Sequence, residues 1–277
     1  MDAHTTQFRP NPLVRDAFIK WIETKDRRHA TAWAHRYNVD PEAAMCEASF
    51  WAVLTDCGVT VEPNADLTGS RQTPDFVCWS GDQKFFVEVT CIHIETATKH
   101  TGLTHLPADG VVWYRPLNDL IFGKATSKTT QCADLDAPCL LGVGTFHFSA
   151  SGSCVRKVFG EWLLTGETNI SWNLETRSGR AVGGVYEQTN FKSATFVRPS
   201  KLVGIEPARK PISALVVAGF GCSSPPIIGA LHPNPDREFD ASFLSRIPFC
   251  QLKVDFERGI VSTVWIQESE DSEQAAN

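Results

Sequence analysis

The chain has 277 residues, 42% of them hydrophobic, and a formal net charge of −6. That is enough apolar material for a full core without staples, and no run approaches a membrane span or a signal-peptide apolar region, so no membrane partner is expected. Nine cysteines, scattered without a C-x-x-C pair, argue against zinc and against a disulfide framework, and for a reducing cytoplasm.

In chain order, residues 13–36 read as a helix, part of an N-terminal helical extension over 1–40 that could serve as a cap or an oligomer contact. Asp40-Pro41-Glu42 is a strong helix start: an N-cap acid, a proline in the first turn, then another acid. Gly58 is the matching stop, which predicts a helix over roughly 41–57. Within it Glu47 has Ala43, Ala44, Phe50 and Trp51 one turn to either side, so the acid sits in the apolar stripe. The plainer alternative puts it at the edge of the stripe, snorkelling to water. Val59-Thr60-Val61 reads as a first strand.

Residues 74–79 and 84–91 are rich in β-branched and aromatic residues, and Ser80-Gly81-Asp82-Gln83 between them has turn composition, which predicts a β-hairpin. In its second strand Lys84, Phe86, Glu88 and Thr90 share one face and Phe85, Val87, Val89 and Cys91 the other. Both faces are largely apolar, the pattern of a buried central strand. An antiparallel register that pairs 79 with 84 also pairs Asp75 with Glu88. Two buried carboxylates that close repel, and a bound hard cation removes the penalty.

A helix is predicted from Leu117 to about Asp134, with Lys124, Lys128 and Gln131 at helical spacing. A buried strand follows at 138–146 and a short helix at 154–164. From about 165 the chain is rich in turns, and further strands are expected at 213–220, 227–231, 250–256 and 260–266. With no long linker and no internal repeat, 41–266 reads as a single α/β domain, followed by an acidic, disordered tail at 267–277.

The order helix, three strands, helix, strand, with acids at Glu47, Pro74-Asp75 and Val87-Glu88-Val89-Thr90, resembles the PD-(D/E)xK nuclease superfamily over roughly residues 41–148. The resemblance implies a restriction-endonuclease-like αβββαβ core, with a central mixed sheet flanked by helices and elaborated by extra C-terminal strands. It implies Mg2+ or Mn2+ held by Asp75, Glu88 and the Val89 carbonyl, with Glu47 directly or through water. It further implies a DNA or RNA substrate and a homodimer, since cutting both strands usually needs two sites. Where the superfamily carries a lysine two residues after the second acid, this chain has Thr90, which can hydrogen-bond but cannot act as a base near neutral pH. Either a lysine reaches in from elsewhere, or the site binds metal without efficient catalysis. Lys84 shares the face of Glu88 but stands roughly 13 Å along the strand. Lys128 and Gln131 of the following helix are the better candidates, their plainer reading being a solvated helix face.

The negative net charge is uneven. Residues 177–210 are basic, with Arg177, Arg180, Lys192, Arg198, Lys201, Arg209 and Lys210 interleaved with Tyr186, Phe191 and Phe196, a composition that could track phosphates and stack bases. A solvated loop with core aromatics is the plainer reading of the same residues. No zinc finger, helix-turn-helix or ATPase motif stands out, so targeting would fall to a partner protein. Two functions remain. One is a divalent-metal-dependent nuclease hydrolysing phosphodiesters in DNA or RNA, in restriction, repair or defence. The other is a nuclease-like module that has lost the chemistry and serves as a nucleic-acid-binding or assembly subunit. A lysine ammonium at Glu88 favours the first; an arginine plugging the acids favours the second.

Overall fold

A computed structural model describes residues 8–64, 73–102, 114–153, 157–201, 204–255 and 260–266. The acidic tail expected at 267–277 lies outside them. Three helices open the chain: α1 (Pro12–Lys25), α2 (Arg27–Val39) and α3 (Pro41–Asp56). They are followed by β1 (Thr60–Pro63), β2 (Phe76–Ser80), β3 (Gln83–Ile92), α4 (Ile94–Thr101), α5 (Tyr114–Lys128) and β4 (Cys139–Thr145). Two short helices, α6 (Phe148–Ser153) and α7 (Lys157–Thr165), lead to two hairpins, β5 (Glu167–Leu174) with β6 (Ala181–Asn190) and β7 (Val197–Ser200) with β8 (Gly204–Pro207). The chain then returns to the main sheet as β9 (Ala214–Gly219), β10 (Ile227–Leu231), β11 (Phe249–Asp255) and β12 (Ile260–Ile266).

The main sheet has eight strands in the order β1-β2-β3-β4-β9-β10-β11-β12. Strands β3, β4 and β9 run parallel, as do β10 and β11, while the other neighbouring pairs are antiparallel. This is an α/β architecture with a mixed central sheet flanked by helices. One face carries α1 to α3, whose Phe18, Ile22, Trp33, Ala44 and Phe50 pack with Phe85, Val87 and Val89 of β3. The opposite face carries α5 and α7, whose Leu117, Ile121, Phe159 and Leu163 pack with Phe86, Leu141 and Val143.

The N-terminal segment differs from the single helix expected over 13–36. Asp26 breaks it, ending α1 and accepting the Arg28 N–H to cap α2. Phe18, Ile22 and Trp33 are buried in the same cluster as β3, so these helices contribute to the core. A single residue, Asp40, joins α2 to α3, ending one helix and capping the next through the Ala43 N–H at 3.0 Å. The third helix stops at Gly58, whose φ of 79° suits glycine. It lies very close to the sheet. A Cβ on Gly142 would come within 2.9 Å of the Phe50 ring, and one on Gly144 within 2.4 Å of Cys46 Sγ.

The hairpin has the expected register, Phe76 opposite Val87 through Ser80 opposite Gln83. Gly81 takes a φ of 58°, as the first central position of a type II′ turn requires. The helix expected over 117–134 ends at Lys128, and residues 129–134 form turns. The helix expected at 154–164 appears as α7, preceded by the unforeseen α6. The short helix α4 and the hairpins between 167 and 207 were not foreseen either.

Candidate acid site

Glu47, Asp75 and Glu88 come from three different directions. Glu47 projects from α3 on one face of the sheet and is 9% exposed; Glu88 lies mid-strand on the opposite face and is 2% exposed. Asp75 stands between them, just beyond the start of β2, where β3 runs on without a β2 neighbour. Its side chain substitutes for the missing ladder: Val89 N–H donates to Asp75 Oδ2 at 2.8 Å.

Two cations meet these acids. Lys128, the last residue of α5, places Nζ 2.7 Å from Glu88 Oε1. Arg36, in the last turn of α2, donates from Nη1 to Glu47 Oε2 at 2.5 Å and stands 3.8 Å from Asp75 Oδ1. The corner at Asp40 turns the end of α2 back alongside α3, which brings Arg36 to Glu47. Sequence reading missed Arg36; its signal was an arginine one turn before a helix junction that is followed by an acid in an apolar stripe.

The electrostatics are strained in one direction. Burial pushes the Glu47 carboxyl up to about 8, helped by repulsion from Asp75 and opposed by Arg36. Burial likewise raises Glu88 to about 8, helped by Asp75 and opposed by Lys128. Asp75 is also raised by burial, against the pull of Arg36 and the Val89 hydrogen bond. The two cations therefore undercompensate the three acids. A second sign is Glu88 Oε2, buried without a hydrogen-bond partner. Buried polar atoms are rarely left so.

The remaining candidates lie at varying distance from this cluster. Thr90 is buried two residues beyond Glu88, and its carbonyl accepts from the Cys46 thiol at 3.5 Å. Gln131 falls in the turn after α5, three residues past the helix end, and no hydrogen bond joins its side chain to the acids. Its expected helical spacing with Lys128 does not exist, because the helix stops first. Lys84 is held elsewhere, paired with Asp136 at 2.9 Å and lying over the Phe86 ring. The basic segment is partly structural. Phe196 is fully buried, Arg209 stacks over Phe122 and donates to the Thr195 carbonyl, and Arg198 and Lys210 pair with Glu206 and Asp236. Arg177 and Arg180 are exposed in the β5–β6 hairpin, while the Tyr186 side chain lies outside the described ones.

Among the described residues, no three His, Cys, Asp or Glu side chains converge as a metal would need. The donor set of Glu47, Asp75 and Glu88 is nevertheless all hard oxygen, the chemistry that Mg2+ and Mn2+ prefer. The undercompensated charge and the orphaned Glu88 oxygen fit a cation of higher charge than the two side chains now present. The described cysteines are free thiols, and no described helix is long and apolar enough to cross a membrane. No protein-family model matches the chain, and comparison with curated proteins and with solved structures returns no match.

Proposed function

We propose that the chain is a divalent-metal-dependent nuclease that hydrolyses phosphodiesters in DNA, with RNA as the other nucleic-acid substrate, after the manner of the PD-(D/E)xK enzymes its motifs resemble. The observation that carries this reading is the seating of Lys128 on the buried carboxylate of Glu88, whose second oxygen has no partner. Thr90 occupies the position of the superfamily's lysine, and Lys128 brings an ammonium to the same carboxylate from α5 instead.

Asp75 and Glu88, with the Val89 carbonyl, would hold Mg2+ or Mn2+, and Glu47 would join directly or through water. Such an ion lowers the pKa of bound water and offsets negative charge at a phosphoryl group. The chain's own residues supply the rest. Lys128 holds Glu88 in place and presents an ammonium for orienting the attacking water and meeting charge in the transition state. Asp75 is fixed by the Val89 N–H, so its position is set by the sheet and not by a free rotamer. The exposed Arg177 and Arg180 are available to the phosphate backbone. A homodimer and a targeting partner belong to the same proposal.

The second reading, a binding or assembly module without chemistry, is favoured by Arg36, which neutralises Glu47 in the place a metal would otherwise take. One experiment separates them. Purified protein is incubated with single- and double-stranded DNA and RNA, with Mn2+, Mg2+ or EDTA, beside Asp75→Asn. Cleavage that needs metal and is lost in the variant supports the nuclease. Wild type that behaves as the variant does under every condition removes it and leaves the binding module.

A further inference from the structure

We propose that Arg36 is an exchangeable counter-ion: it neutralises Glu47 and Asp75 in the metal-free protein, and a divalent cation binds by expelling it. This rests on the reading of the three acids as a metal site, and it concerns how that site is kept and filled.

Three observations lead there. First, the Arg36 guanidinium contacts Glu47 at 2.5 Å and lies 3.8 Å from Asp75, so one cationic group already bridges two of the acids proposed as ligands. A second cation cannot share that position, because two positive charges a few ångströms apart repel. Second, the cluster is electrically incomplete. Arg36 and Lys128 supply one positive charge each to three carboxylates, and Glu88 Oε2 is left buried and unpartnered. Exchange of the monovalent guanidinium for a divalent ion, with Lys128 kept on Glu88, makes the cluster neutral. Third, Arg36 has a way out. Its side chain is 45% exposed, while the Glu47 side chain beneath it is 11% exposed. The guanidinium itself is largely desolvated against the acids, but the long, flexible stem that carries it lies at the solvent boundary. The absence of a ready-made metal cluster among the described residues then follows, since the acids are held on two cations and have not converged on one.

The exchange predicts that metal affinity is set partly by Arg36, which is not itself a ligand. Mn2+ binding is measured by the electron paramagnetic resonance signal of the free ion, on wild type, Arg36→Gln and Arg36→Gln/Asp75→Asn. Arg36→Gln is expected to bind about tenfold more tightly, because the fraction of protein with an open site rises, and the double variant is expected to lose the gain. Affinity equal to or below that of a binding wild type overturns the exchange and leaves the metal site standing. If neither wild type nor Arg36→Gln binds Mn2+, the metal reading falls and the exchange with it. A second measurement needs no variant. In wild type, Mn2+ is expected to speed phenylglyoxal modification of Arg36, read by peptide mass mapping, as the side chain leaves the acids for solvent. Unchanged or slower labelling in protein that binds Mn2+ overturns the exchange.

Discussion

Lys128 ends its helix with its ammonium 2.7 Å from Glu88 Oε1, a carboxylate buried in the middle of β3. The ion pair therefore ties the α5 layer to the sheet at the point where the chemistry is proposed. Removing the ammonium leaves Glu88 buried with no partner on either oxygen. Lys128→Met is expected to cost about 1–3 kcal/mol of stability and to reduce metal-dependent cleavage by about a hundredfold or more. Adding Glu88→Gln should restore stability without restoring cleavage. Urea denaturation and a cleavage assay on the single and double variants check this; loss of stability with cleavage intact would make Lys128 purely structural.

Asp75 has two duties that two substitutions separate. Asparagine keeps an oxygen to accept the Val89 N–H, whereas alanine leaves that donor without its 2.8 Å partner. Both should abolish metal-dependent cleavage. Asp75→Ala should be less stable than Asp75→Asn by about 1–3 kcal/mol, measured by chemical denaturation in EDTA.

His232 sets an acid limit. Burial pushes its imidazole down to about 4, and both ring nitrogens are engaged, Nδ1 accepting the Asn234 N–H and Nε2 donating to the Ala208 carbonyl. The folded state binds its proton more weakly than the unfolded chain does. Its contribution is thus present above the unfolded value near 6.5 and is lost as pH falls towards 4. The loss should reach about 3 kcal/mol. His232→Asn should be less stable at pH 7 but flatter between pH 6.5 and 4, which a pH series of denaturation curves would reveal.

The arginines of the basic segment should divide. Arg209 lies over Phe122 and bonds the Thr195 carbonyl at 2.6 Å, so Arg209→Ala should lower the melting temperature and leave nucleic-acid affinity unchanged. Replacing the exposed Arg177 and Arg180 should leave stability alone, weaken DNA binding, and reduce its salt slope by about 1 per arginine that meets a phosphate. Anisotropy titrations at several salt concentrations read both outcomes.

Much of this site was legible because its parts are local. The register of a two-residue hairpin turn determines which residues face each other, so Asp75 and Glu88 could be paired by counting. The caps at Asp40 and Gly58 bounded α3, and the apolar neighbours of Glu47 foretold its burial. Lys128 was also reachable, because the superfamily resemblance pointed to the helix after the acid-bearing strand as the source of the missing lysine. Gln131 was not, because the end of α5 depends on turns after Lys128 that carry no strong stop signal. Arg36 stayed hidden for a different reason. Its role depends on the angle between two helices joined by one residue, and periodicity says nothing of that angle.

The clearance between α3 and β4 gives the site a control that touches none of its polar groups. Gly144 leaves room for Cys46, the immediate neighbour of Glu47, and a single methyl there would stand 2.4 Å from its sulfur. The height of one carboxylate above the sheet is thus gauged by a hydrogen atom two strands from Asp75. Changing that glycine to alanine would lift Glu47 from the sheet and shift its distance from the other two acids while keeping every charge.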